Sequence, residues 1–167
     1  MKNILFILFF IFLLVGVSNV LTENELIPDE AIRIRVIAAS DKEEDQKLKM
    51  QIKNEVEKYL YEQLSNVDNI NEAHIVIKDS LIYIDKIVKK YTTDYDINYG
   101  LNYFPEKEFK GIKYADGEYQ SLVITLGNGL GNNWWCVLFP PLCMIEEDTS
   151  DVEYRSFIVD TLNKYKF

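Results

Sequence analysis

The spacing of apolar residues changes from helical to strand-like near Asp96, and this change constrains the fold more than any other feature of the sequence. Between residues 48 and 91, apolar side chains recur every three or four positions, which predicts two amphipathic helices. From Asp96 onwards they alternate with polar residues, as in a strand with one buried face. An alternating segment at residues 31–38 precedes the helices. The sequence therefore predicts an α+β fold: one N-terminal strand, two long helices, then a mostly antiparallel strand-rich half.

Helix start signals place the two helices. Ser40 and Glu43 have the spacing of a capping box, so the first helix is predicted to start there and to run to about Leu64. Asn69 and Glu72 have the same spacing and predict the start of the second helix. The predicted buried stripes of the two helices are Leu48, Ile52, Val56, Tyr59, Leu60 and Leu64, and Ile70, Ala73, Ile77, Leu81, Ile84, Val88 and Tyr91.

Residues 119–143 have the most unusual composition, with three of the seven glycines, both tryptophans, both cysteines and two of the four prolines. Two apolar runs, residues 122–126 and 134–139, flank a loop of Gly and Asn that can turn tightly. One interpretation is a hairpin-like pair of core strands with buried aromatic side chains. The other is a partner-binding tip with aromatic anchors. Its candidate contact residues are Asn128, Asn132, Trp134, Trp135, Phe139, Pro140 and Pro141.

The two ends of the chain differ from its middle. Lys2, an apolar run at residues 4–15 and small residues at 16–18 predict a signal peptide over residues 1–18. An uncleaved membrane anchor remains open, although a membrane span needs about 20 apolar residues. Residues 19–28 are interpreted as a linker, 29–145 as one domain and 146–167 as an acidic tail. For the tail, two alternatives stay open: disorder, or a terminal helix with its apolar side at Val152, Phe157 or Ile158, Leu162 and Tyr165.

The charge and the glycine spacing argue against three classes of ligand, namely nucleic acid, anionic lipid and nucleotide phosphates. The formal net charge of −9 argues against nucleic acid and against anionic lipid, since both would repel the chain. A phosphate-binding loop requires a helix start directly after its glycines, and a P-loop also requires a lysine. Neither feature follows Gly127, Gly129 and Gly131.

The two cysteines predict a disulfide. Cys136 and Cys143 enclose six residues, and the Pro-Pro bend between them can bring the two back together. Two free, buried thiols are the alternative. A metal site is not expected, because two thiols do not complete a zinc shell and His74, the one histidine, lies in a predicted helix.

No motif for nucleophilic or metal-assisted catalysis is present, and we predict neither an enzyme nor a cofactor. The carboxylate pairs Asp116 with Glu118, and Glu106 with Glu108, keep glycoside hydrolysis open as an alternative. Solvated turn and edge charges are the simpler interpretation of both pairs.

Three segments carry a resemblance to a known family. Residues 27–41 read Ile-Pro-Asp-Glu-Ala-Ile-Arg-Ile-Arg-Val-Ile-Ala-Ala-Ser-Asp, and residues 114–119 read Tyr-Ala-Asp-Gly-Glu-Tyr. Residues 126–143 read Leu-Gly-Asn-Gly-Leu-Gly-Asn-Asn-Trp-Trp-Cys-Val-Leu-Phe-Pro-Pro-Leu-Cys. Together they resemble the stage II sporulation protein R family over about residues 27–145.

The resemblance implies a signalling protein that is made in the forespore and exported into the space between the forespore and mother-cell membranes. There it would activate a membrane-embedded aspartic protease, its receptor, which processes the precursor of sigma factor E. The resemblance thus implies a ligand and no catalysis, with the N-terminal segment as a possible membrane tether. The competing expectation is a protein of the same space that binds or cleaves cell-wall glycan.

Overall fold

A four-stranded mixed sheet with helices on both faces forms the centre of the computed structural model, which describes residues 27–143 and 150–165. The strands are β1 (Ile32–Ile37), β2 (Tyr95–Phe104), β3 (Lys107–Phe109), β4 (Ile112–Tyr114), β5 (Gly117–Leu126) and β6 (Asn133–Phe139). The helices are α1 (Glu43–Leu64), α2 (Ile70–Lys89) and α3 (Asp151–Tyr165). The predicted α+β order of one strand, two helices and a strand-rich half is confirmed.

The predictions for the N-terminus, a leader at residues 1–18 and most of the linker at 19–28, lie outside the described residues. None of the helices described above is long and apolar enough to cross a bilayer.

The strand order is β2-β5-β1-β6, so β1 lies inside the sheet. β5 runs parallel to β1, and Ile34 pairs with Leu122. β6 runs antiparallel to β1 on its other side, where Ile34 pairs with Cys136. The expected hairpin of the two apolar runs is therefore wrong, because β1 separates β5 from β6. β3 and β4 form a separate two-stranded hairpin.

The Gly and Asn loop between β5 and β6 crosses the end of β1. Leu130 N donates to Ala39 O at 3.2 Å and Gly131 N donates to Ala38 O at 2.9 Å. A Cβ atom at Gly131 would lie 2.3 Å from the carbonyl oxygen of Ser40. Glycine is needed here because two backbone segments are in contact, not because the chain turns tightly.

The two long helices cover one face of the sheet. Ile34 and Val36 of β1 are fully buried there with Ile52 of α1 and Ile77 of α2. Most of the predicted stripes are confirmed, although Tyr91 is exposed and Leu48, Tyr59, Ile70 and Leu81 are only partly buried.

The start of α2 is as predicted, and the start of α1 is not. The side chain of Asn69 accepts a hydrogen bond from Glu72 N at 3.0 Å. α1 begins at Glu43, after Lys42, and has no side-chain cap. Ser40 lies two residues before the N-cap position, where its Oγ accepts a hydrogen bond from Lys42 N at 3.2 Å and donates one to Asp45 Oδ2 at 2.5 Å.

The second face of the sheet is covered by α3 and the β3–β4 hairpin. Phe104, Tyr119, Trp135 and Val137 of the sheet are buried there, together with Tyr114 of the hairpin. α3 contributes Tyr154, Ile158 and Leu162 to this second core. The helix proposed for the C-terminal residues is present, but its buried stripe differs from the prediction, since Val152 is 80% exposed.

The contact at Gly131 generates a stability prediction. Gly131→Ala should lower the free energy of unfolding by about 1–3 kcal/mol, because its Cβ would displace the backbone at Ser40. Gly100→Ala is the matched control, since the nearest atom to its Cβ is Asn98 Oδ1 at 3.6 Å. Urea unfolding followed by circular dichroism measures both. Equal stability of the two variants would contradict the close contact.

Candidate partner-binding cleft

The two tryptophans of β6 project to opposite faces of the sheet. Trp134 faces the helices, is half-buried and has Lys53 Nζ 4.5 Å from its ring centroid. Trp135 faces the second core and is 8% exposed. Its ring stands edge-on to Tyr114 at 5.1 Å and to Phe104 at 5.5 Å. This division follows from the two-residue period of a strand.

A cleft of about 210 Å³ lies beside β6. Side chains from both faces of this strand line it, Trp134 and Cys136 from one and Trp135 and Val137 from the other. β6 is an edge strand, so a cavity that touches both faces must lie along its outer edge. The opposite walls come from α1, the β3–β4 hairpin and α3, through Lys53, Lys107, Phe109, Tyr114 and Tyr154.

Two tyrosines hold the hairpin wall and the helix wall together. The hydroxyl groups of Tyr114 and Tyr154 lie 2.8 Å apart and are hydrogen-bonded. Burial raises the pKa of Tyr154 to about 12. Burial, followed by the neighbouring Tyr154, raises the pKa of Tyr114 well above its usual value. Both side chains are therefore neutral near pH 7, and each satisfies the polar group of the other.

Two lysines place positive charge at the cleft. Lys53 Nζ is 2.6 Å from Glu57 Oε2, so its charge is largely balanced. Lys107 Nζ lies 5.1 Å from the ring centroid of Trp135 and 5.8 Å from that of Phe109. Within the described part of the chain, no carboxylate forms an ion pair with Lys107. The cleft is thus a local cationic site on a chain whose net charge is −9.

Cys136 and Cys143 are free thiols in this structure, so the predicted disulfide is not confirmed. The chain does fold back as that prediction required, because Leu142 N donates to Val137 O at 3.2 Å. Cys143 Sγ donates to the same carbonyl at 2.9 Å, so its proton is held by an acceptor within β6. Burial, followed by the neighbouring Cys136, raises the pKa of the Cys143 thiol. A protonated thiol is a poor nucleophile.

The seven contact residues predicted from sequence do not form one tip. Asn128 and Asn132 are exposed in the loop before β6, whereas Pro140 and Pro141 follow its other end, about 20 Å away at the rise of a strand. Trp134 and Pro141 are half-buried. Trp135, Phe139 and Pro140 are buried, which agrees with the interpretation of this segment as part of the core. Of the seven, only Trp134 and Trp135 line the cleft, and the partner-binding role of the whole set stays a prediction.

Sequence reasoning missed half of the cleft. Lys53, Lys107, Phe109 and Tyr154 lie on three elements that are far from β6 in sequence. The apolar character of Phe109 and Tyr154 was visible, but no local signal relates either residue to β6. Only tertiary packing brings them to the cleft, where the ring centroids of Phe109 and Tyr154 lie 5.5 Å apart.

The carboxylate pairs considered for glycoside hydrolysis lie outside the cleft lining. Glu106, Glu108, Asp116 and Glu118 are all exposed, as expected of solvated charges. Glu106 forms an ion pair with Lys113 at 3.2 Å.

His74 is not near the thiols. Its Nδ1 lies 2.7 Å from the hydroxyl of Tyr99 on β2, and its pKa is lowered by burial and then by Lys78. β2 and β6 are opposite edges of the sheet, three strand spacings or about 14 Å apart. Among residues 27–143 and 150–165, no group of three His, Cys, Asp or Glu residues could hold a metal ion.

Arg33 supports the cleft from behind. It is 2% exposed, and its Cζ lies 3.2 Å from the ring centroid of Tyr119 and 5.5 Å from that of Trp135. Its Nε and Nη1 atoms have no hydrogen-bond partner in the described structure. Burial lowers the pKa of Arg33, although Tyr119 partly offsets this effect.

The fold and the cleft together define the chain as a small α+β domain with an aromatic, cationic cleft at one sheet edge. A family model described as Stage II sporulation protein R (spore_II_R) matches residues 28–149. The Stage II sporulation protein R of Bacillus subtilis (strain 168) is 39% identical in an alignment of 163 positions that covers 87% of this chain and 73% of that protein. The chain therefore belongs to the Stage II sporulation protein R family and has a role in sporulation. No solved structure matches it.

The tyrosine pair can be tested by a double-mutant cycle. Tyr114→Phe or Tyr154→Phe alone should lower the free energy of unfolding by about 1–3 kcal/mol, since each leaves one buried hydroxyl without its partner. The double variant should lose less than the sum of the two. Strictly additive losses in urea unfolding would show that the two hydroxyls do not interact.

Arg33 should be replaceable by an apolar residue of similar length. Because its charge is buried without full hydrogen bonding, Arg33→Met should leave the free energy of unfolding unchanged or raise it by about 1–3 kcal/mol. Arg33→Ala should lower it, because a cavity would form beneath Tyr119. A large loss in both variants, measured by thermal unfolding, would assign the charge itself a stabilising role.

Proposed function

We propose that this protein is an exported sporulation signal that activates a membrane-embedded aspartic protease. Made in the forespore, it acts in the space between the forespore and mother-cell membranes. The activated protease then cuts the precursor of sigma factor E. Residues 1–18 direct export and, where they are retained, serve as a membrane tether.

Membership of the Stage II sporulation protein R family is the observation that carries this proposal. The resemblance that leads to the family implies a ligand of a receptor protease. The acidic composition of the chain agrees with a protein that avoids anionic lipid and nucleic acid.

The cleft beside β6 is the surface that we assign to the receptor contact. Its walls are tied together by the Tyr114–Tyr154 hydrogen bond and by the second core, so it needs little ordering when a partner binds. Trp134 is the anchor of the surface, because it is half-buried and lines the cleft. A ligand activates a receptor only if it binds the active state more tightly than the inactive one. The cleft must therefore match a receptor segment that the active state presents.

Co-expression of this chain, the protease and the sigma precursor in a host that does not sporulate tests the proposal. The unaltered chain should cause cleavage of the precursor, and Trp134→Ala should reduce that cleavage about tenfold or more while the domain stays folded by circular dichroism. Leu101→Ala is the matched control, since Leu101 is 67% exposed on β2 at the other edge of the sheet.

Trp135→Ala should instead lower the free energy of unfolding by about 3–5 kcal/mol, because this ring is buried. Normal cleavage with folded Trp134→Ala would remove the cleft from the mechanism. Absence of cleavage with the unaltered chain would overturn the proposed function.

A further inference from the structure

We infer that the cleft beside β6 binds an extended acidic peptide segment, which places one large apolar side chain between the aromatic walls and a carboxylate at Lys107. The inference deepens the proposed function and rests on it for the identity of the partner, a segment of the receptor protein. The occupant follows from the size of the cleft, from the strand edge beside it and from its charge.

The size of the cleft fits a side chain and not a cofactor. Its volume of about 210 Å³ lies below the range of about 300–1,000 Å³ that is typical of small-molecule sites. Trp134, Trp135, Phe109 and Tyr154 form its walls, which offer ring faces and edges to an apolar group.

The strand edge favours an extended peptide. Val137 O already points away from β1, since it accepts the hydrogen bond from Leu142 N. In a strand, residues two apart direct their backbone groups to the same side, so those of Trp135 also point away from β1 and towards the cleft. An extended segment that lies along this edge would pair with them by strand addition. At the start of β6 a peptide could not pair in this way with Asn132 O, because this carbonyl already accepts a hydrogen bond from Lys49 Nζ at 3.1 Å.

The charge of the cleft selects an acidic segment. No carboxylate in the described part of the chain forms an ion pair with Lys107. The ammonium group of Lys107 lies over the rings of Phe109 and Trp135, which line the cleft. A carboxylate placed beside it gains an ion pair that a neutral or basic segment does not.

A glycan fits the same cleft less well. Sugar hydroxyls need hydrogen-bonding groups beside the rings, but the hydroxyls of Tyr114 and Tyr154 bond to each other and Cys143 Sγ bonds to Val137 O. The two charged side chains that line the cleft, Lys53 and Lys107, are both cationic, which favours a carboxylate.

Intrinsic fluorescence gives a direct test, because both tryptophans of the chain line the cleft. The full chain, purified in mild detergent, is titrated with the capped peptide Glu-Phe-Glu-Leu-Glu. Capped Gln-Phe-Gln-Leu-Gln and Glu-Ala-Glu-Ala-Glu serve as controls for charge and for the apolar side chain. The acidic apolar peptide should give a saturable change in fluorescence, and both control peptides should bind about tenfold more weakly or not at all.

The matched variants are Lys107→Glu and Lys58→Glu, which change the charge equally. Lys107→Glu should weaken binding of the acidic peptide about tenfold, because it replaces an attraction by a repulsion. Lys58 is exposed on α1 and does not line the cleft, so Lys58→Glu should change binding by less than about twofold at physiological salt. Unchanged circular dichroism of both variants shows that neither acts through the fold.

Equal binding of the neutral peptide, unchanged binding by Lys107→Glu, or no saturable change at millimolar peptide would overturn the inference. A saturable response to N-acetylglucosamine oligomers in place of the peptide would also overturn it and assign the cleft to glycan. If peptide binding fails while the unaltered chain still causes precursor cleavage, the inference falls and the proposed function stands. If the peptide binds and the chain causes no cleavage, the proposed function falls and the cleft remains a peptide site.

Discussion

The pairing of β1 with two partners is the constraint on which the rest of the structure depends. β1 is hydrogen-bonded to β5 on one side and to β6 on the other, so it separates two strands that are close neighbours in sequence. The connection between β5 and β6 must then cross the end of β1, which accounts for the backbone contact at Gly131. β1 is also buried on both faces, with Ile34 towards the helices and Arg33 towards the second core.

The cleft follows from this arrangement. The long helices cover one face of the sheet, and α3 with the β3–β4 hairpin covers part of the other. β6 is the edge strand between these two layers. Both layers therefore border the space beside β6, and neither layer fills it. Aromatic side chains of β6, the β3–β4 hairpin and α3 then meet at a strand edge, close to Lys53 and Lys107. An apolar pocket and the outward-facing backbone groups of Trp135 therefore lie side by side at this edge.

Local signals predicted the elements well. The apolar periods located α1 and α2, and the Asn69 cap placed the start of α2, because these signals depend on residues within one helical turn. The predicted start of α1 was wrong by a few residues, in a segment that also contacts a loop about 90 residues further along the chain, where Asn132 N donates to Asp41 Oδ1 at 2.6 Å. The Pro-Pro bend was predicted to return Cys143 to Cys136, and it does so, although the thiols are free.

The sequence by itself determined the fold class, the long helices, the unusual character of residues 119–143 and the family. Each of these depends on a pattern or a motif of residues that are close together in the sequence. Only the tertiary structure decided which strands pair, which tryptophan is buried and which lysine faces the cleft. Strand pairing is decided by contacts between residues that are distant in sequence, and an alternating strand reveals which residues share a face but not what covers that face. Trp134 and Trp135 are neighbours of identical chemistry, and only the layers packed on either side of β6 give them different environments.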